Sequence, residues 1–178
     1  EDPLLAYRFM VYTKSASLGL RTGIDSLRRG LVMMGYGSIK RWLSDQLPHA
    51  STEMDLRPVR EAMVLRARLT EHLLESGLQK DLRSEVYMCG LFSQLDELMG
   101  EPIGNILHRI PLSERVYDAI VTRTGPYAPS LEMACALETS DASAIRQLCE
   151  DNTLELEEIN RALLRVLSNL EVVRHPGH

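Results

Sequence analysis

The chain has 178 residues, 44% of them hydrophobic, with a formal net charge of −5 and a pI near 5.6. That length supports one buried core and hence one domain over 1–178, and the acidic balance speaks against a general nucleic-acid binder, whose affinity comes from clustered Lys and Arg on phosphates. No run approaches the ~18 consecutive apolar residues of a membrane helix and no signal peptide opens the chain, so no membrane insertion and a cytoplasmic location are expected.

Asp2 as N-cap and Pro3 at the first helical position start a helix to about Lys14, with Leu4, Leu5, Tyr7, Met10 and Val11 as its apolar face. The opening Glu1-Asp2-Pro3, without an initiator Met, reads as a fragment cut from a longer protein. The glycines of 15–23 end the first helix, and Ile24, Leu27, Leu31 and Met34 predict a second over 24–34, with Gly35 as a left-handed cap. A third, over 38–47, carries the sole tryptophan, Trp42. After a polar loop at 48–55, Val59, Ala62, Leu65, Leu69 and Leu73 form one stripe of a long helix over 56–76 that Gly77 closes. Ser84 is the candidate N-cap of a second long helix over 85–99, in which Val86, Cys89, Gly90, Leu91, Leu95, Leu98 and Met99 point to deep burial. Short helices follow over 102–109, 113–123, 129–138 and 141–151. Thr153 is the candidate cap of a final amphipathic helix to about Val173, with Leu163, Leu164, Leu167 and Leu170 repeating. No alternating apolar and polar run competes with these periods, so the class is all-α, a single helical bundle.

Motif chemistry is sparse. No phosphate loop, dinucleotide fingerprint or H-E-x-x-H helix occurs, and Gly35-Tyr36-Gly37 reads as a helix–helix turn. Cys89, Cys135 and Cys149 lie far apart without a C-x-x-C pair, which suits three free thiols in a reducing compartment. Of the five histidines, His49 falls in a polar loop, His175 and His178 in the tail, and His108 at the end of a short helix. His72 alone is mid-helix, near Glu71 and Glu75, and one imidazole beside a carboxylate is not a metal site. Ser93 with His72 as base lacks the strained turn of a nucleophile elbow. Arg66 and Arg68 on one long helix, with Asp96 and Glu97 on the next, form a candidate partly buried ion pair. Tyr117, Tyr127 and Met133 are candidates for an exposed contact patch.

The order of these helices and four stretches resemble the HDOD domain, a bacterial signalling module related to HD-type phosphohydrolases. Asp2-Pro3-Leu4-Leu5-Ala6-Tyr7-Arg8 resembles its D-P-x-L-x-x-R start, and Lys14-Ser15-Ala16-Ser17-Leu18-Gly19-Leu20 its N-S-A-x-x-G turn, with Lys14 in place of Asn. The stretch 26–35 resembles its S-I-x-x-A-[LIV]-x-x-L-G helix, with Gly30 in place of Ala. Gly90-Leu91-Phe92-Ser93-Gln94-Leu95-Asp96 stands where HD relatives carry G-L-L-H-D-I-G, so Ser93 and Gln94 occupy the His-Asp positions. Neutral side chains there cannot hold a catalytic divalent cation, and the segment 55–71 contains no earlier ligand histidine.

Leu65-Arg66-Ala67-Arg68, Leu91-Phe92-Ser93-Gln94-Leu95-Asp96, Pro111-Leu112-Ser113 and Arg123-Thr124-Gly125 are similar to the subgroup in which HDOD follows an EAL domain, a fold tied to cyclic-di-GMP. The resemblance implies an HD-like bundle cut from the C-terminal part of its parent, with no cofactor, no metal and no catalytic residue. It implies a non-enzymatic signalling output and interaction module coupled to cyclic-di-GMP, with any phosphodiesterase activity lying in a domain outside this chain. Its partners would be other signalling proteins or the EAL domain of the same parent, and homo-oligomers are compatible with it. The alternatives are a degenerate metal-dependent phosphohydrolase using His72, His108 and nearby carboxylates, or a domain that binds nucleotide without turnover.

Overall fold

The structure, a computed structural model, describes residues 2–15, 27–46, 56–74 and 80–174. The described residues form ten helices and no strand, the all-α class that the periodicity predicts. None of these helices is long and apolar enough to cross a membrane. The helices are α1 (Pro3–Ser15), α2 (Leu27–Gln46), α3 (Arg57–Leu73), α4 (Lys80–Phe92), α5 (Leu95–Met99), α6 (Ile103–Leu107), α7 (Glu114–Val121), α8 (Ala128–Thr139), α9 (Ala142–Asn152) and α10 (Leu156–Arg174).

Local chemistry sets several boundaries as read from sequence. Asp2 Oδ1 accepts the Leu4 and Leu5 amides at 2.9 and 3.3 Å, and Asp141 Oδ1 accepts those of Ser143 and Ala144 at 3.0 Å, each satisfying donors a helix start leaves orphaned. Gly35 divides α2 at the expected place, but with φ 72° and ψ 158° it takes an extended glycine conformation and not the left-handed cap expected. The turn at 16–23, His49, Gly77, His175 and His178 lie outside the described residues.

Other boundaries differ. Ser84 lies inside α4, which begins at Lys80, and the expected long helix over 85–99 breaks at Ser93-Gln94 into α4 and α5. Thr153 does not start α10. It ends α9 at φ 55°, ψ 38°, where the Leu154 amide closes on the Cys149 carbonyl at 3.0 Å.

The main core is built on α3 and α4, which pack most extensively against each other, with α1, α7 and α8 around them. Met10, Met63, Ala67, Val86, Cys89, Phe92, Leu95, Ile106, Val116 and Leu131 are buried there. The predicted α3 stripe is real but secondary. Its Leu65, Leu69 and Leu73 meet Ala134 and Val166, while Met63 and Ala67, off that stripe, enter the main core. On α10, Ile159, Ala162 and Val166 are buried and Leu164 and Leu167 are exposed, so the buried face is turned from the leucine repeat. A separate cluster of Phe9, Met34 and Trp42 joins α1 to α2, with the Phe9 and Trp42 rings edge to face at 5.4 Å. Cys89 is buried, Cys135 and Cys149 are half-buried, and all three thiols are free.

Candidate functional site

Gly90 brings the backbones of α3 and α4 together. A Cβ at this position would lie 2.4 Å from Ala67 Cα, 2.7 Å from Ala67 N and 2.8 Å from the Arg66 carbonyl oxygen. The crossing therefore requires a residue without a side chain, and it sets Arg66 beside the end of α4. One turn later the Gly90 carbonyl accepts both the Ser93 amide at 3.4 Å and the Ser93 hydroxyl at 2.9 Å. This side-chain bond with a tight closure ends α4 where apolar spacing alone predicts continuation. Ser93-Gln94 becomes the turn into α5, with Ser93 buried, Gln94 half-buried and Gln94 Nε2 donating to Glu97 Oε1 at 2.9 Å.

Arg66 joins three elements at this turn. Its Nη1 donates to Ser93 Oγ at 3.1 Å, while Nε and Nη2 donate to Glu138 Oε1 and Oε2, at 2.8 and 2.5 Å, near the end of α8. Burial pulls the guanidinium down, but the Glu138 hydrogen bond and nearby negative charge outweigh it and hold Arg66 above its ordinary value. The acidic partner of Arg66 is thus Glu138, 72 residues away, and not Asp96, which is half-buried on α5. Arg68 is half-buried on α3. Nothing local in the sequence couples residues so far apart; the available signal was a carboxylate closing the apolar run from Met133 to Leu137.

The same geometry answers the nucleophile question. A catalytic serine needs a base to accept its proton. The Ser93 hydroxyl gives its proton to the Gly90 carbonyl and receives a guanidinium, which is the wiring of a structural joint. His72 lies elsewhere, half-buried and lining a cleft of about 90 Å³ with Leu154, Glu158 and Arg165 around the start of α10. His108 ends α6, where its ring lies 4.9 Å from that of Tyr117 and Nε2 is 3.1 Å from the Tyr117 hydroxyl. Among the described residues no group of three or more His, Cys, Asp or Glu is placed to hold a metal ion.

A second polar joint went unnoticed in the sequence. Glu85, 3% exposed on α4, accepts the Tyr127 hydroxyl at 2.6 Å and Arg115 Nη2 at 2.9 Å. Burial, then the Glu85 hydrogen bond, pushes the Tyr127 phenol far above its ordinary value. Burial with the charge of Glu85 does the same to the Cys89 thiol. These contacts overturn the expected surface patch, because Tyr127 is 3% exposed and Met133 0%, and Tyr117 is half-buried. Tyr127 belongs to the main core, Tyr117 packs against it, and Met133 is fully buried on α8.

The chain is 23% identical over 164 residues to Cyclic di-GMP phosphodiesterase CdgJ of Vibrio cholerae, an alignment covering 92% of this chain and 38% of that protein. It is 25% identical over 169 residues to Uncharacterized protein YuxH of Bacillus subtilis, covering 93% of this chain and 41% of that protein. The chain spans about two fifths of the length of these curated relatives. No protein-family model and no solved structure matches it.

Proposed function

We propose that this chain is a non-catalytic output and interaction module of the HDOD kind, acting within cyclic-di-GMP signalling by protein contact. The observation that carries the reading is the state of the Ser93-Gln94 turn. Where the resembling hydrolases place a His-Asp metal pair, Ser93 is buried, its proton is committed to the Gly90 carbonyl, and its oxygen faces the Arg66 guanidinium. The nearby Glu138 carboxylate has both oxygens bonded to Arg66 and so is committed to that pair, and the neutral oxygens of Ser93 and Gln94 are poor ligands for a divalent cation. The likeness to a Vibrio cholerae protein named a cyclic di-GMP phosphodiesterase supports the signalling context. It also motivates the rival, a degenerate metal-dependent phosphohydrolase working through His72 or His108. Those two side chains sit on α3 and at the end of α6, with different neighbours, which favours the non-catalytic reading.

Metal analysis of the purified chain, paired with a cyclic-di-GMP hydrolysis assay in added Mn²⁺ or Mg²⁺, separates the two. Trace metal and no turnover are expected. Stoichiometric metal with turnover abolished by His72→Ala or His108→Ala would establish the hydrolase instead.

A further inference from the structure

Between α1 and α2 lies a cleft of about 430 Å³, in the size range of roughly 300–1,000 Å³ in which proteins hold small ligands. Phe9, Leu27, Leu31, Ile39, Trp42 and Leu43 line most of it, and Tyr87 and Leu91 close it from α4. Among the described residues the one charged group lining it, Asp2, is engaged at the start of α1 and lies 3.8 Å from Arg60. A small ligand would meet almost no polar group to orient it. Elsewhere on α2, outside the cleft lining, Val32 is 74% exposed, Tyr36 81% and Met33 42%.

The charge around this surface runs against that of the molecule. The chain carries −5, yet α2 contains four basic residues and one acidic residue, and Arg28, Lys40 and Arg41 are exposed beside the cleft residues. We infer that the α1–α2 cleft docks an acidic amphipathic helix of a partner protein, its apolar face entering the cleft and its carboxylates meeting the α2 cations. An anionic bilayer fits less well. The apolar lining is set back between two helices, and the break at Gly35 denies α2 the continuous face of an interfacial helix. The inference rests on the interaction reading above only for the partner being a protein.

Trp42, the sole tryptophan, lines the cleft and reports on its occupancy. The probe is a synthetic amphipathic helix with a leucine face and a glutamate face, titrated into the full chain, with a lysine-faced version as control. The glutamate peptide should change Trp42 fluorescence saturably, more weakly as salt rises, and the lysine peptide should not. Lys40→Glu with Arg41→Glu, and separately Leu43→Glu, should each weaken binding about tenfold while leaving the circular dichroism spectrum intact. Equal binding of both peptides, or none, overturns the proposal. So does a fluorescence change that follows self-association in light scattering, which would make a second copy the occupant, or one produced better by phosphatidylglycerol vesicles. A chain that neither turns over cyclic-di-GMP nor binds the peptide would sink this inference and leave the non-catalytic reading standing.

Discussion

On the face of α4 that meets α3, Gly90 lets two backbones touch, and Arg66, Ser93 and Glu138 tie α3, the α4–α5 turn and α8 into one joint. On the face that meets α1 and α2, Tyr87 and Leu91 line an apolar cleft, and α2 itself carries exposed apolar side chains. The same helix thus has one side closed by steric fit and charge-assisted hydrogen bonds and another left able to receive a surface. The Ser93-Gln94 turn lies on the closed side. Tight closure there means that substitutions should damage stability, whereas substitutions on the open side should damage only binding.

The steepest break in that contrast is Gly90→Ala. The added methyl meets backbone atoms of Ala67 and Arg66, which cannot swing aside, so α3 and α4 must separate. We expect a loss of about 3 kcal/mol, or roughly 6–12 °C in Tm, by thermal unfolding. Next is Glu138→Gln, which keeps the volume and removes the charge opposite Arg66. With side-chain exposures of 10% and 20% the pair is only partly screened. A loss of about 2 kcal/mol is expected in urea unfolding, and an unchanged midpoint would show that Arg66 is held by packing alone.

Helix existence was legible because it rests on short-range chemistry. Asp2, Pro3, Gly35 and Asp141 act within a few residues of themselves, and all four mark helix boundaries, Gly35 by a positive φ other than that of the expected left-handed cap. The closed side was half legible. Ser93-Gln94 was identified by its place in a motif and Arg66 by its charge in an apolar helix, but Glu138 enters from another helix and no local pattern announces it. The break in the long helix was hidden for a related reason, since hydrophobic spacing through Leu91, Leu95 and Leu98 is blind to a serine hydroxyl taking the Gly90 carbonyl. Thr153 misled because threonine favours N-caps, while the left-handed closure onto Cys149 prevailed. The open side was invisible, because a cleft formed by Phe9, Trp42 and Leu91 depends on how α1, α2 and α4 stand together.

Alkaline pH probes the closed side more gently. Cys89 and Tyr127 both hold their protons more tightly in the folded chain than in the unfolded one. Between the unfolded and folded values the native state therefore binds more protons, so their contribution is intact below about pH 8.5 and is lost as pH rises, first through the thiol and from about pH 10 through the phenol. Tyr127→Phe should cost about 1 kcal/mol at neutral pH, from the lost bond to Glu85, and flatten the fall in stability above about pH 10. Urea midpoints measured across that range for both proteins check the sign; a steeper fall in the variant would mean that Tyr127 ionises readily in the fold.

The smallest expected effect bears hardest on the comparison. Val32→Ser with Tyr36→Ser removes two of the most exposed apolar side chains from α2, so stability should stay within about 0.5 kcal/mol of the parent. The same double variant should weaken the glutamate-faced peptide, because surface that stabilises nothing in the free chain can still be buried on binding. A drop in Tm comparable to that of Glu138→Gln would mean that these exposed side chains of α2 support the fold, and the distinction between a closed and an open side would fall with it.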